Sequence, residues 1–115
     1  MTWLLVGAGG LAGVLARYGL SLAVQSIWTV VAINIAGSFA LGLMVTAGSG
    51  WSEEARTGIG VGFLGGFTTF STLTVQTVLE ADGGRGGTAA AYLAVTVCGG
   101  MAAAVAGYAL GRTVS

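Results

Sequence analysis

The sequence predicts an all-α membrane protein with four transmembrane helices, the third of which is broken near its middle. Of its 115 residues, 55% are hydrophobic and only 7% are charged, whereas a soluble domain carries about 25% charged residues. The apolar residues form four segments, each close to the roughly 20 residues that a helix needs to cross a bilayer. Because these segments and their short joints occupy nearly the whole chain, we expect residues 1–115 to form a single transmembrane domain surrounded by membrane lipid.

The first two helices are expected over about residues 3–24 and 29–48, with Gln25 and Ser26 at the joint between them. The first segment could be mistaken for a signal peptide. It lacks a basic N-terminal region, however, and Arg17 interrupts its apolar run. We therefore interpret it as a helix that stays in the protein.

The third helix is expected over about residues 57–80 and contains the run GFLGGFTTFST at positions 62–72. Two adjacent glycines followed by four hydroxyl residues in five positions do not suit a lipid-facing helix. In hydrocarbon, a helix can break only where other protein or a water-filled cavity satisfies the freed backbone groups. The run therefore predicts a break in the third helix that forms a site for an ion.

The fourth helix is expected over about residues 88–111, after the glycine-rich turn at 82–87. Small residues recur at a spacing of four in three helices, which indicates close helix packing. They are Gly9 and Gly13 in the first helix, Gly58, Gly62 and Gly66 in the third, and Ala103, Gly107 and Gly111 in the fourth. Gly7-x-Gly9-x-x-Ala12 also matches the dinucleotide-binding fingerprint, but no acidic residue follows about 20 positions later.

The four basic residues do not favour one orientation in the membrane. With four spans, Arg56 and Arg112 fall on one side, and Arg17 and Arg85 fall on the other. The positive-inside rule needs an excess on one side. We therefore expect the chain to insert both ways and to assemble as an antiparallel, dual-topology dimer, an isologous arrangement. A single, weakly biased topology is the alternative.

Several classes of partner and chemistry have no support in the composition. The chain has no net charge and no basic patch, so nucleic-acid binding is not expected. It has no histidine, and its single cysteine, Cys98, excludes an internal disulfide and most soft-metal sites. No group of residues suggests catalysis, so we do not expect an enzyme.

Neutral hydrogen-bonding side chains occur at bilayer depth in three of the helices. They are Asn34 and Ser38 in the second helix, Thr69, Ser71, Thr72 and Gln76 in the third, and Tyr92 and Thr96 in the fourth. They either form hydrogen bonds between helices or line a pore. Arg17 either extends to the headgroups or stands near the entrance of such a pore.

The absence of a carboxylate at that depth distinguishes between transport mechanisms. A proton-coupled exporter needs a titratable group near the midplane, and a cation channel needs an acidic ring or a carbonyl filter. Hydroxyl and amide donors suit a small anion, and the positive ring edges of Phe67 and Phe70 could face it. These residues therefore indicate a pore for a small anion, without specifying which one.

The chain resembles the small four-helix fluoride channels of the Fluc, or CrcB, family. Three motifs carry the resemblance: GGLAGVLARY at residues 9–18, NIAGSF at 34–39, and the run at 62–72. The resemblance implies an antiparallel dimer with two pores that exports fluoride passively from the cytoplasm across the cell membrane. It also implies a structural sodium ion held by the main-chain carbonyls of Gly65 and Thr68. Asn34 and Phe70 should lie beside the ion and Arg17 near a vestibule.

Two positions depart from the family pattern. Leu73 stands where the family often has a second phenylalanine, and Gln76 stands where a glutamate is common. A homodimer is our first interpretation. The departures leave a second, in which this chain is a non-conducting partner subunit of a heterodimeric channel. A small multidrug-type exporter has a similar size, but it depends on a glutamate in the first helix, where this chain has only Arg17 as a charge.

Overall fold

The structure is a computed structural model that describes residues 1–114. Within this range every regular element is helical and there is no β-strand. Four helices are long and apolar enough to cross a membrane, at Thr2–Ala23, Ile27–Ala47, Glu53–Asp82 and Gly86–Val114. The longest dimension is 49 Å, which suits a bilayer of about 40–45 Å with its headgroups. The predicted multi-pass membrane protein is confirmed.

The first two spans are single helices, α1 (Thr2–Ala23) and α2 (Ile27–Ala47). The Ser26 hydroxyl accepts a hydrogen bond from the backbone N–H of Trp28 at 3.2 Å and caps α2. This cap explains why α2 begins two residues earlier than its apolar residues predict.

The third span is interrupted, as predicted. It consists of α3 (Glu53–Thr57), a π-helical segment (Gly58–Leu64), α4 (Gly65–Phe67) and α5 (Phe70–Asp82). The chain is extended between α4 and α5, with φ −84° and ψ 157° at Thr68 and φ −147° and ψ 116° at Thr69. The span extends beyond the predicted 57–80 because the Ser52 hydroxyl caps α3 and the acidic first turn remains helical.

The fourth span is one helix, α6 (Gly86–Val114), and is longer than the predicted 88–111. Gly84, with φ +81°, makes the tight turn that precedes it. In this turn Arg85 forms an ion pair with Glu80 at the end of the third span.

Glycines allow α1 to pack closely against the first half of the third span. A Cβ atom at Gly9 would lie 2.5 Å from the Gly58 carbonyl oxygen, and one at Gly66 would lie 2.6 Å from the Gly10 carbonyl oxygen. A Cβ atom at Gly13 would collide with the Phe63 carbonyl oxygen. Because such close backbone approach is possible only without side chains, this packing confirms the role predicted for these glycines.

The most extensive interface in the chain joins α2 and α6. Gly107 packs against the Phe39 carbonyl oxygen, and Gly42 packs against that of Ala104. By contrast, α1 and α2 make little contact. The structure therefore consists of two glycine-packed pairs. Before its break the third span packs on α1, and after it α5 packs mainly on α6.

The buried apolar core is small. Its main cluster consists of Val30, Val31, Leu73 and Tyr92, with Ile27 and Ile35 packed against it. Large apolar side chains are exposed along α1, α5 and α6, including Leu11, Val78 and Val105. Lipid contact explains this distribution, because hydrocarbon solvates these side chains as well as a protein core does.

The packing of α1 generates a stability prediction. Gly13→Ala should lower the stability of the protein by about 1–3 kcal/mol, because the added methyl group overlaps the Phe63 carbonyl. Gly19→Ala is the matched control, because a Cβ atom there would meet no other part of the protein within 4 Å beyond its own helix backbone and chain neighbours. Thermal unfolding in detergent, followed by circular dichroism, measures both. Equal melting temperatures for the two variants would contradict the packing described here.

Candidate functional site

A groove of about 410 Å³ lies beside the helix break, with walls from α2, the third span and α6. It brings together most of the residues that the sequence predicts for the ion path. These are Asn34, Ser38, Thr69, Phe70 and Thr96, together with Gly65 and Thr68. Since the break lies near the middle of a span of 30 residues, the groove is at mid-membrane depth.

Asn34 holds the break in place through two hydrogen bonds to one residue. Its Nδ2 donates to the Thr69 carbonyl oxygen at 3.0 Å, and its Oδ1 accepts from the Thr69 backbone N–H at 2.8 Å. The side chain thus satisfies both backbone groups of Thr69, which is the condition for a break in hydrocarbon. A primary amide has two N–H donors, so one N–H of Asn34 remains beyond this pair.

The hydroxyl groups of the groove donate to nearby backbone carbonyls. Ser38 Oγ donates to the Asn34 carbonyl at 2.7 Å, Thr96 Oγ1 to that of Tyr92 at 2.7 Å, and Thr68 Oγ1 to that of Leu64 at 3.0 Å. A hydroxyl rotates easily, so each of these can turn its proton toward an anion. The net cost is one ordinary hydrogen bond, about 1 kcal/mol.

The break also redirects two backbone N–H groups. In an uninterrupted helix, the N–H of Thr69 would face the Gly65 carbonyl and that of Thr72 would face the Thr68 carbonyl. Here the Thr69 N–H donates to Asn34, and the Thr72 N–H donates to Thr69 Oγ1 at 3.3 Å. The carbonyls of Gly65 and Thr68 therefore lose their usual helical partners at the wall of the groove.

These carbonyls are the kind of group that a hard cation such as sodium prefers. Within residues 1–114, no three His, Cys, Asp or Glu side chains lie together as a charged metal site would require. Neutral oxygens at the break are thus compatible with the sodium ion that the resemblance implies. Two carbonyls from one copy would be only part of its coordination shell.

Arg17 contacts the break from the other side. It is half-buried, and its Nε donates to the Gly66 carbonyl oxygen at 3.3 Å. This carbonyl belongs to the last turn before the break, where a cation interacts favourably with the helix dipole. From the sequence, Arg17 is expected at a vestibule or at the headgroups. Its contact with Gly66 could not be predicted, because the two residues are 49 positions apart.

The two phenylalanines of the motif occupy different places. The Phe70 side chain is 77% exposed at the rim of the groove. Phe67 stacks on Phe63, with ring centroids 5.8 Å apart, and lines a separate apolar cavity between α1 and α2. Of these two rings, Phe70 is the one that the structure places at the groove.

Besides Arg17, three predicted site residues lie outside the groove. Ser71 is exposed, and Thr72 is half-buried beside Thr69. Tyr92 is fully buried, packs edge-on against Trp28, and has no hydrogen-bond partner for its hydroxyl among residues 1–114. Gly37, which the sequence analysis did not single out, does line the groove, and a Cβ there would collide with the Thr68 side chain.

Comparisons with known proteins cover almost the whole chain. Residues 4–108 match the family described as CrcB-like protein, Camphor Resistance (CrcB). "Fluoride-specific ion channel FluC 2" of Geobacillus kaustophilus is 41% identical over 118 residues, which cover 95% of this chain and 92% of the relative. "Fluoride-specific ion channel FluC 1" of Bacillus anthracis is 35% identical, covering 96% and 88%. "Fluoride-specific ion channel FluC" of a Thermus thermophilus strain is 40% identical, covering 95% and 94%.

The Asn34 contacts generate the second prediction. Asn34→Asp should lower stability by about 1–3 kcal/mol, because a carboxylate cannot donate to the Thr69 carbonyl and leaves it unpaired. Ser38→Ala is the control, since the Ser38 hydroxyl bonds only within its own helix. Thermal unfolding of both variants in detergent measures the difference. If Asn34→Asp melts no lower than Ser38→Ala, Asn34 does not hold the break.

Proposed function

The chain belongs to the CrcB-like family, and on that basis we propose that it forms a fluoride-selective channel. Fluoride leaves the cytoplasm through it, down its own gradient. The observation that carries this proposal is the groove at the helix break, lined by neutral donors in the middle of the membrane. The neutral donors of the groove favour a small anion as the transported ion, and the names of the relatives favour fluoride among such anions. A channel makes no covalent bond with its ion, so the protein is not an enzyme.

In the proposed mechanism, the groove replaces the water molecules that fluoride loses on entry. The second N–H of Asn34 and the rotated hydroxyls of Ser38 and Thr96 donate hydrogen bonds to the ion. The Phe70 ring offers its positive edge at the rim. All these groups are uncharged, so the ion is held at several sites without being trapped, as conduction requires.

We also propose an antiparallel, dual-topology dimer with two pores. The groove and Phe70 are open on one side of the single chain, and a second copy would close them. Arg17 lies inside the span at its contact with Gly66, so Arg56 and Arg112 on one side face only Arg85 on the other. This excess of one is too small to fix a single orientation, which supports insertion in both. In this dimer, the Gly65 and Thr68 carbonyls of both copies would hold a sodium ion, whose positive charge would stabilise the four converging oxygens.

A heterodimer remains the second candidate. Relatives carry the numbers 1 and 2 in their names, and Leu73 and Gln76 depart from the family pattern. Against this, Leu73 is only 3% exposed and packs on Tyr92 in the core. A leucine there fills space among apolar side chains, which supports a working homodimer. The exporter alternative is not favoured, because α1 has no carboxylate.

Flux from liposomes tests the function. Protein alone should release fluoride rapidly, measured with a fluoride electrode, and should not release chloride. Thr96→Val should slow fluoride efflux about tenfold, the effect of losing one hydrogen bond of about 1.4 kcal/mol. Ser71→Ala, outside the groove, should not change it. Absence of efflux from folded wild-type protein, restored by adding a homologous subunit, would establish the heterodimer instead.

Sodium dependence tests the proposed cation site separately from flux. The melting temperature of the purified protein should rise with sodium concentration and then level off, because a ligand that binds only the folded state stabilises it by mass action. N-methylglucamine at equal ionic strength is the control. A conducting protein that melts at the same temperature in both salts would exclude a structural sodium ion.

A further inference from the structure

We propose that Arg56 and the cavity beside it form a capture site for a small inorganic anion at the membrane-surface end of the groove. In a working channel that anion is fluoride, so the inference rests on the proposed function and extends it. The site supplies a step that the neutral groove lacks, the attraction of the ion from bulk water. Four observations support it: a guanidinium without a partner among residues 1–114, a cavity beside it, a wall that this cavity shares with the groove, and the depth of Arg56 in the membrane.

The guanidinium of Arg56 has no hydrogen-bond or ion-pair partner among residues 1–114. Arg56 lies in the last turn of α3 and is half-buried. Its Nε is buried and has no hydrogen-bond acceptor among residues 1–114. By comparison, Arg17 donates to the Gly66 carbonyl and Arg85 pairs with Glu80. A buried N–H of a cation is costly to leave unpaired, and an anion is the partner that satisfies both its charge and its donor.

A cavity of about 310 Å³ adjoins this side chain. Its lining includes Arg56, Thr57 and Glu53, together with apolar residues from α2. Arg56 and Glu53 share the wall but form no ion pair. The Glu53 carboxylate therefore leaves the Arg56 guanidinium available to another anion. The cavity thus has room, a positive group and a hydroxyl residue in its wall.

The cavity adjoins the groove at the helix break and shares part of its wall. Leu41 and Gly60 belong to the linings of both. A Cβ atom at Gly60 would lie only 2.7 Å from Met44 Cε. Met44 thus packs directly on Gly60 at this junction, and a side chain at position 60 would have to displace it.

The depth of Arg56 fits an entrance. Twelve positions separate it from Thr68. The rise is at most about 18 Å, the value for an α-helix at 1.5 Å per residue, because seven of these residues form the π-helical segment, which rises less per residue. Half of the hydrocarbon thickness is about 15 Å. With the break at the middle of the bilayer, Arg56 therefore lies at its surface, where a charged group costs little and raises the local anion concentration.

The test measures initial fluoride efflux from liposomes as a function of fluoride concentration. Arg56→Gln should raise the half-saturating concentration at least about threefold at low ionic strength and leave the maximal rate unchanged. Arg56→Lys should restore most of the wild-type value, since it keeps the charge. An impermeant salt should reduce the difference between wild type and Arg56→Gln, because it screens the attraction.

Two further variants separate capture from structural support. Glu53→Gln removes a negative charge from the same wall and should lower the half-saturating concentration, which a merely structural role of Arg56 does not predict. Arg85→Gln is the matched control, because Arg85 is exposed in a turn outside the cavity. Size-exclusion chromatography shows whether Arg56→Gln is folded. If its elution differs from that of the wild-type protein, the half-saturating concentration of Glu53→Gln decides the test.

Other outcomes would overturn the inference. If fluoride efflux from Arg56→Gln and from Glu53→Gln depends on fluoride concentration as it does for the wild type, Arg56 does not form a capture site. A lower maximal rate without rescue by lysine would assign Arg56 to folding. Arg56→Gln could also lower only the melting temperature, with efflux unchanged. If it did so in vesicles containing phosphatidylglycerol but not in pure phosphatidylcholine, Arg56 would be assigned to a lipid phosphate. Loss of efflux in the wild type would instead contradict the proposed function.

Discussion

The two hydrogen bonds between the Asn34 amide and the backbone of Thr69 are the interaction on which the rest of the structure depends. An unsatisfied backbone group in hydrocarbon costs several kcal/mol, so without this pair the third span would be driven toward a continuous helix. With it, the chain stays extended at Thr68 and Thr69. The span can then pack on α1 before the break and on α6 after it, and the groove opens between them.

Glycine packing and arginine contacts fix the parts that surround this break. Gly13 and Gly66 bring the first half of the third span against the backbone of α1, while Arg17 binds the Gly66 carbonyl near the end of that half. The neighbouring residue Gly65 lies at the groove wall instead. The side of the third span that faces α1 is thus closely packed, and the polar groups on the side that faces the groove remain available for ions. Near the membrane surface, the charge of Arg56 complements the neutral donors of the groove.

Local patterns in the sequence predict most of the fold. The four spans follow from apolar length, and the break follows from the glycines and hydroxyls at 62–72. The pairings of Asn34 with Thr69 and Arg17 with Gly66 could not be predicted, because they join residues 35 and 49 positions apart. Ser71 and Thr72 fall outside the groove because the extended residues reset the rotation of α5 relative to α4. Helical periodicity cannot be carried across such a break.

Solid-state NMR of the protein in lipid bilayers, titrated with sodium fluoride and then sodium chloride, tests this account most directly. The account predicts backbone chemical shifts typical of extended residues at Thr68 and Thr69. It also predicts that the side-chain amide resonance of Asn34 shifts with fluoride and not with chloride. Helical shifts at Thr68 and Thr69 would contradict the break. An Asn34 resonance that responds to neither anion, or equally to both, would contradict its role as the point where the break meets the transported ion.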